Sequence, residues 1–305
     1  MSGVTITVLV PDDHGVAALG VVPGVRAVRY DSERELPDDA EVLVPPFLGY
    51  PDALLDRAAA LPKLRLVHTL TAGAERWIGR VSDGVDLAVS RGAHGGSTSE
   101  WAMAVLLSIY RELREFDHDH RAGVWRHHQT DTLQGKRILV IGAGDLGRRM
   151  RRKLEAFDAE ATLVGSTARD GVHGVDELPA LLGEHDAVVL MVPLTDGTRG
   201  MVDAAFLSSM RDGAVLVNAA RGPVVHTDAL LAELEAGRLR AALDVTDPEP
   251  LPDGHPLWTA PGLLLTPHVA GSVRGQRDRA YGIVAANLRR LVAGEILRNL
   301  VTGDY

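Results

Sequence analysis

Short runs of β-branched and aliphatic residues alternate with longer stretches of helical periodicity along almost the whole chain. The runs predict strands at residues 4–10, 25–30, 41–44, 64–69 and 86–90, then a second series at 137–141, 161–164, 187–191, 214–218, 239–244 and 263–266. Helical patterns fall between them, for example at 145–156, 204–210 and 228–236. Strand–helix alternation of this kind predicts parallel sheets with helices on both faces. A long helical run, about 97–121, separates the two series. Ser97-x-x-Glu100 predicts a capping-box start for it, with Trp101, Val105, Leu106 and Ile109 on the apolar face. A last helix at 274–293 is expected to return to the first domain.

Composition narrows the function classes. The chain has 305 residues, 46% hydrophobic and 24% charged, and two domains are the natural division. It has no cysteine, which excludes disulfides, cysteine-ligated zinc, iron–sulfur clusters and thiol nucleophiles. A net charge of −9 repels phosphate backbones, so no nucleic-acid partner is expected. The densest basic patch, Arg148, Arg149, Arg151, Arg152 and Lys153, reads as the solvated face of a helix. No basic region precedes the first apolar run, which reads as a strand rather than a signal peptide. The longest stretch without Asp, Glu, Lys or Arg, residues 254–273, carries Pro256, Pro261 and Pro267, so no membrane-spanning helix is expected there. The expected location is the cytoplasm. His118, His120, His127 and His128 with Asp117 and Asp119 are of the residue types that bind metals. His118 and His120 lie two apart, on different sides of a helix, so we read a solvated helix end or a subunit-contact arm and expect no metal.

The sharpest local signal is the apolar run 137–141 leading straight into Gly142-Ala-Gly-Asp-Leu-Gly147 and a helical pattern. Gly142 permits a tight turn, Gly144 lets backbone approach a pyrophosphate, and Gly147 lets helix pack on strand. Asp145 and Leu146 complete the loop at the helix start, where backbone N–H groups face phosphate. This predicts an α/β fold of two doubly wound parallel-sheet domains. A Rossmann cofactor domain (97–273) is inserted in a flavodoxin-like substrate domain (1–96 and 274–305). The second strand of the cofactor domain should end in a carboxylate if it reads the ribose hydroxyls of NAD. The sequence there is Leu163-Val-Gly-Ser-Thr-Ala-Arg169. Ser166, Thr167 and Arg169 suit a 2′-phosphate instead, so NADP(H) is the preferred cofactor. Asp170, one residue on, keeps NAD(H) possible.

Four further motifs follow in order: Val192-Pro-Leu-Thr195, Val217-Asn-Ala-Ala-Arg-Gly-Pro223, Ala242-Leu-Asp-Val-Thr-Asp-Pro-Glu-Pro250 and Leu265-Thr-Pro-His-Val-Ala-Gly271. With the glycine loop they resemble the D-isomer-specific 2-hydroxyacid dehydrogenase family, of the glyoxylate/hydroxypyruvate reductase kind. The likeness is dense from Ser97 to Gly271 and thin in the first domain. It implies an NAD(P)-dependent oxidoreductase that reduces a small 2-keto acid to the D-2-hydroxy acid. By this resemblance His268 is the general acid/base, Glu249 orients its imidazole, and Arg221 grips the substrate carboxylate and carbonyl. Those residue types suit the chemistry: imidazole titrates near working pH, and a guanidinium fork matches a carboxylate. The resemblance also implies that Val192, Pro193, Thr195, Asn218, Ala219, Ala220, Asp244 and Gly271 line the cofactor groove. In the first domain it implies that the backbone of Ala72 and Gly73 meets the substrate carboxylate. Trp125 resembles the family's segment that crosses to a partner subunit, which implies a homodimer. Two other readings stay open: a phosphite-type dehydrogenase on the same fold, and a non-catalytic protein that senses NAD(P). A formate-type enzyme is disfavoured, because Glu249 stands where that type carries Gln.

Overall fold

The computed structural model describes residues 5–302. Residues 1–4 and 303–305 lie outside the described residues, and with them Val4, the expected first residue of the opening strand. In chain order the structure runs β1 (Ile6–Val10), α1 (Asp13–Leu19), β2 (Val25–Arg29), β3 (Val42–Leu43), α2 (Ala53–Ala59), β4 (Leu66–His68) and β5 (Asp86–Ala88). Next come α3 (Gly95–Tyr110), α4 (Leu113–Arg121), β6 (Arg137–Ile141), α5 (Asp145–Glu155), β7 (Glu160–Gly165), β8 (His173–Gly174), α6 (Leu178–Leu182) and β9 (Ala187–Leu190). It closes with α7 (Ala204–Ser209), β10 (Val215–Asn218), α8 (Thr227–Glu235), β11 (Arg240–Leu243), β12 (Leu263–Leu265) and α9 (Gln276–Ala293). These elements form two compact units, one taking residues up to His94 and from Arg274 on, the other Gly95–Val273.

The first unit is a five-stranded sheet in the order β2-β1-β3-β4-β5, every pairing parallel. This is the flavodoxin-like order, with its topological switch between β1 and β3. Strand geometry sends successive side chains to opposite faces. Ile6, Val8 and Val10 therefore pack with Val42 and Leu66 under Leu19, Tyr281, Val284 and Leu288 of α1 and α9. Leu9, Leu43, Val67 and Leu87 pack on the other face with Leu54 and Leu55 of α2 and with Trp77. His68, at the end of β4, is fully buried. Its Nδ1 donates to the Thr69 carbonyl at 3.1 Å and its Nε2 accepts from Asn287 Nδ2 at 3.0 Å. Asn287 also exchanges two hydrogen bonds with the Arg298 backbone, so one neutral imidazole ties β4, α9 and the C-terminal segment together.

The second unit is a seven-stranded parallel sheet in the order β12-β11-β10-β9-β6-β7-β8. Counted from β6 this is the Rossmann order extended by one strand, with the switch between β6 and β9. Leu139 and Ile141 face one core with Leu190, Leu216 and Leu243. Ile138 and Val140 face the other with Val189, Val217, Met150 and Leu154, where α3 contributes Ala102, Met103, Leu106 and Tyr110.

The long helix differs from its sequence reading. It starts at Gly95, so Ser97 and Glu100 sit inside it rather than at its cap. It also breaks after Tyr110, with Glu112 in the left-handed region at φ 49° before α4 begins. The change of character explains the break: α3 carries a buried apolar face, whereas in α4 (LREFDHDHR) only Asp119 is buried.

Candidate active site

The glycine loop is shaped by what a side chain would hit. Gly142, at φ 116°, would place a Cβ 2.3 Å from the Met191 carbonyl oxygen, and Gly147 would place one 1.8 Å from that of Gly142. Both glycines are thus required by the protein's own packing. Gly144 is different: a Cβ there would meet nothing within 4 Å. It is the N-cap of α5, whose start has no side-chain cap. Uncapped helix amides at the carboxyl edge of the switch strand, with a glycine open on the outer side, fit a dinucleotide pyrophosphate. Leu146 is half-buried in the first turn. Asp145 turns its side chain away from the loop: its Oδ1 accepts from Arg149 Nε at 2.9 Å and its Oδ2 packs on Gly95 of α3. Only its helix-start backbone is thus left on the side of the loop where a phosphate would sit.

At the tip of β7, Ser166, Thr167 and Arg169 are exposed and no carboxylate ends the strand. The Arg169 guanidinium lies over Gly165 and donates to the Thr167 carbonyl at 3.2 Å and the Ala143 carbonyl at 3.4 Å. It therefore spans the strand tip and the glycine loop.

The remaining motifs lie at and just beyond the carboxyl ends of β9, β10, β11 and β12, the edge where doubly wound sheets take ligands. After β9, Val192, Pro193 and Thr195 form a loop closed by Thr198, whose Oγ1 accepts from Thr195 N at 2.8 Å and donates to the Pro193 carbonyl at 2.7 Å. At the end of β10, buried Asn218 clamps the turn that follows. Its Oδ1 accepts from Ala220 N and its Nδ2 donates to the Arg221 carbonyl, both at 3.0 Å. Ala219 and Ala220 are buried beneath this turn and Arg221 is half-buried, with Nη1 donating to the Ala220 carbonyl at 2.7 Å. Gly222 follows because a Cβ there would lie 1.9 Å from the Thr246 carbonyl oxygen of the next loop.

Asp244, at the end of β11, organises the segment carrying His268. Its carboxylate is 3% exposed and takes three donors from that segment. Oδ1 accepts from Thr266 Oγ1 at 2.6 Å and Val269 N at 2.9 Å, and Oδ2 accepts from Ala270 N at 2.9 Å. Its carbonyl also accepts from His268 N at 2.7 Å. His268 is left-handed, at φ 53°, which aims the next two N–H groups back at the carboxylate as a small anion nest. The imidazole is thereby turned toward Glu249, with Nδ1···Oε1 2.6 Å and both side chains 40% exposed. With Nδ1–H donated to the carboxylate, Nε2 is the nitrogen presented outward. Gly271 closes the turn, its carbonyl accepting from Val273 N at 3.2 Å.

In the first unit, Ala72 and Gly73 lie in the turn after β4. The turn is pinned by hydroxyls: Thr69 Oγ1 donates to the Thr71 carbonyl at 3.0 Å and Thr71 Oγ1 to that of Gly73 at 2.7 Å. Sequence reasoning passed over Thr266, Thr198 and Gly222. Thr266 and Gly222 stood inside the quoted motifs, yet their function depends on neighbours from other strands. Among the described residues no group of three or more His, Asp or Glu is arranged to hold a metal, and no helix is long and apolar enough to cross a membrane. His128 instead pairs with Glu112 at 2.7 Å and stacks on Phe116.

Residues 103–270 match the family model described as the D-isomer specific 2-hydroxyacid dehydrogenase, NAD binding domain. The chain belongs to this family. Its members are oxidoreductases, and the second unit is the family's NAD-binding domain. A glyoxylate reductase from Thermofilum pendens is 31% identical over 260 residues, 80% of this chain and 77% of that protein. A D-3-phosphoglycerate dehydrogenase from Mycobacterium leprae is 32% identical over 314 residues, but the match covers 95% of this chain and only 57% of that one. A further relative, an uncharacterized protein of Corynebacterium melassecola, is 40% identical over 167 residues, 52% of this chain and 55% of that protein. Against some relatives, then, the chain spans little more than half their length. Among solved structures, a family member from Xanthobacter autotrophicus Py2 in complex with NADPH and MES has a TM-score of 0.84 at 29% identity, covering 98% of both chains. An NADPH-dependent glyoxylate/hydroxypyruvate reductase from Sinorhizobium meliloti, in complex with NADP and sulfate, has a TM-score of 0.83 at 28% identity, over 97% of this chain and 98% of that one.

Proposed function

We propose that this protein reduces a small 2-keto acid of the glyoxylate or hydroxypyruvate type to the D-2-hydroxy acid, with NADP(H) preferred over NAD(H). The observation that carries the reading is the His268–Glu249 pair, held at 2.6 Å on the Asp244-anchored turn. Bound nicotinamide supplies the hydride for the keto carbon. His268 donates the proton from Nε2 to the carbonyl oxygen, completing the alcohol, and recovers a proton from solvent through its exposed side. Glu249 accepts from Nδ1, fixes the ring and balances the imidazolium charge. Arg221, on the turn clamped by Asn218, pairs with the substrate carboxylate and polarises the carbonyl. Thr195, Ala219, Ala220 and Gly271 bound the cofactor groove chiefly through backbone. The cofactor preference rests on the β7 tip, where Ser166, Thr167 and Arg169 stand in place of a carboxylate. The Xanthobacter and Sinorhizobium structures carry NADPH and NADP, which supports the same preference.

We further propose a cytoplasmic homodimer. Trp125 is 95% exposed on an arm, residues 124–130, that is neither helix nor strand, and Val124 beside it is 45% exposed. An aromatic ring so presented suits burial against a second copy.

The test is oxidation of NADPH and of NADH by the purified protein with glyoxylate, hydroxypyruvate, pyruvate and phenylpyruvate, followed by chiral analysis of the product. The expected result is turnover with NADPH preferred and a D product, abolished in His268→Ala while cofactor affinity stays near wild type. An L product, or turnover surviving in His268→Ala, overturns the assignment. Cofactor binding without turnover on any keto acid would point to a sensor.

A further inference from the structure

Arg148 is the fourth residue of α5, near the positive end of the helix dipole, where a cation is unfavourable. Its neighbour Arg149 is compensated by Asp145. Among the described residues, Arg148 makes no ion pair with a carboxylate. Its Nη1 donates to the Ala143 carbonyl at 3.1 Å. That same oxygen accepts from Arg169 Nη2 at 3.4 Å, and Arg169 also lacks a carboxylate partner among the described residues. Two exposed guanidinium groups, from different elements, thus converge on a single backbone oxygen of the glycine loop. Among the described residues no carboxylate pairs with either to offset their mutual repulsion.

We infer that Arg148 is a second reader of the ribose 2′-phosphate, forming with Arg169 a two-cation clamp over Ala143. This rests on the NADP(H) reading above and extends it to a residue whose helix position otherwise marks it as ordinary solvated surface. A phosphomonoester carries about −1.5 to −2 charges at neutral pH, more than a single guanidinium offsets. Each guanidinium has five N–H donors and spends only one or two of them on protein carbonyls, so donors from both remain for phosphate oxygens. Gly144 leaves the surroundings open, since a Cβ there would meet nothing within 4 Å. The inference also accounts for an arginine at a point of α5 where helix stability alone disfavours one.

The test is calorimetric binding of NADPH, NADH, 2′-AMP and 5′-AMP to the wild type and to Arg148→Gln, Arg148→Lys, Arg169→Gln and the Arg148→Gln/Arg169→Gln pair. Arg152→Gln, an exposed residue of the same helix, serves as the control. Arg148→Gln is expected to weaken NADPH and 2′-AMP about tenfold or more, roughly 1.4 kcal/mol, with NADH and 5′-AMP changed less than about twofold. Arg148→Lys, which keeps the charge and loses the fork, should fall between. The double variant should lose less than the product of the two single losses, because both act on one phosphate. Equal loss of NADPH and NADH in Arg148→Gln would mean that it only shapes the glycine loop, and no loss at all would mean that it is surface; either overturns the inference. Wild type that binds 2′-AMP no better than 5′-AMP would instead sink the NADP(H) reading, and the clamp with it.

Discussion

Replacing Asp244 by alanine removes the carboxylate that holds the His268 turn in shape. Three donors lose their acceptor: Thr266 Oγ1, Val269 N and Ala270 N. Hydrogen bonds to a charged group contribute about 1.5–3 kcal/mol each, but Thr266 and Val269 are partly exposed and recover part of this from water. Ala270 N is buried and is left unsatisfied at a cost of about 1–3 kcal/mol. The net loss expected is about 3–5 kcal/mol, in line with stripping one partner from a buried charged cluster. At about 2–4 °C per kcal/mol for a unit of this size, the melting temperature falls by roughly 10 °C. The left-handed conformation of His268 costs on the order of 1–3 kcal/mol and persists only while its surroundings enforce it. Released, the backbone relaxes toward negative φ and carries the imidazole off Glu249. A displacement of about 1 Å at a reacting group lowers kcat on the order of 100-fold. Asp244→Asn, nearly isosteric, keeps one acceptor oxygen but sets an amide N–H against that of Ala270, so about 1–3 kcal/mol is expected. Calorimetric melting and steady-state NADPH oxidation read both effects. An alanine variant that melts within about 2 °C of wild type refutes the anchoring role; unchanged melting and kcat with weakened NADPH binding would show that Asp244 acts on the cofactor instead.

Gly144→Ala should melt like wild type yet lose cofactor affinity, because its Cβ meets only the space a pyrophosphate needs, whereas Gly147→Ala, with a Cβ 1.8 Å from a carbonyl oxygen, should lose about 3 kcal/mol or more of stability. Thermal melts set beside NADPH fluorescence titrations separate the two, and equal melting of both variants would contradict this account of the loop. Burial pushes His68 down from 6.5 to about 4. The unfolded chain thus takes up a proton that the fold refuses, and stability should fall by up to roughly 3 kcal/mol as pH drops from 6.5 to 4, where most of this loss is complete. Urea unfolding across that window should show a slope that is clearly shallower in His68→Gln than in wild type, with buried His185, also held below its usual range, contributing the remainder. Trp125→Glu should convert a dimer to monomer in sedimentation velocity without lowering the melting temperature of the monomer, since the ring is 95% exposed within one chain.

How much of this was legible before folding depends on the range of the interaction. The glycine loop was readable because its chemistry is local: strand, turn and helix start fall within residues 137–147. The last helix, read at 274–293, forms as Gln276–Ala293, its apolar spacing matched by burial of Tyr281, Val284, Ala285 and Leu288. Short elements escaped notice. The two-residue strand β8 and the five-residue helix α6 carry too few side chains to show a period. The break at Glu112 escaped because a left-handed residue leaves no mark in a polar stretch. The site divides the same way. Arg221, Glu249 and His268 could be named from motifs, because each motif is a continuous segment beyond a strand end. What Asp244 does could not, since its three donors lie 22 to 26 residues away on a neighbouring strand's loop. Nor could the convergence of Arg148 and Arg169, 21 positions apart, on Ala143. Hydrophobic periodicity and turn chemistry act over a few residues, so the amino-acid order alone determined the α/β alternation, the phosphate loop and the identity of the chemical groups. Strand order, the anchoring of the His268 turn and the pairing of the two arginines came only from tertiary structure, because parallel neighbours in a sheet are joined through crossovers that bring distant loops to one edge.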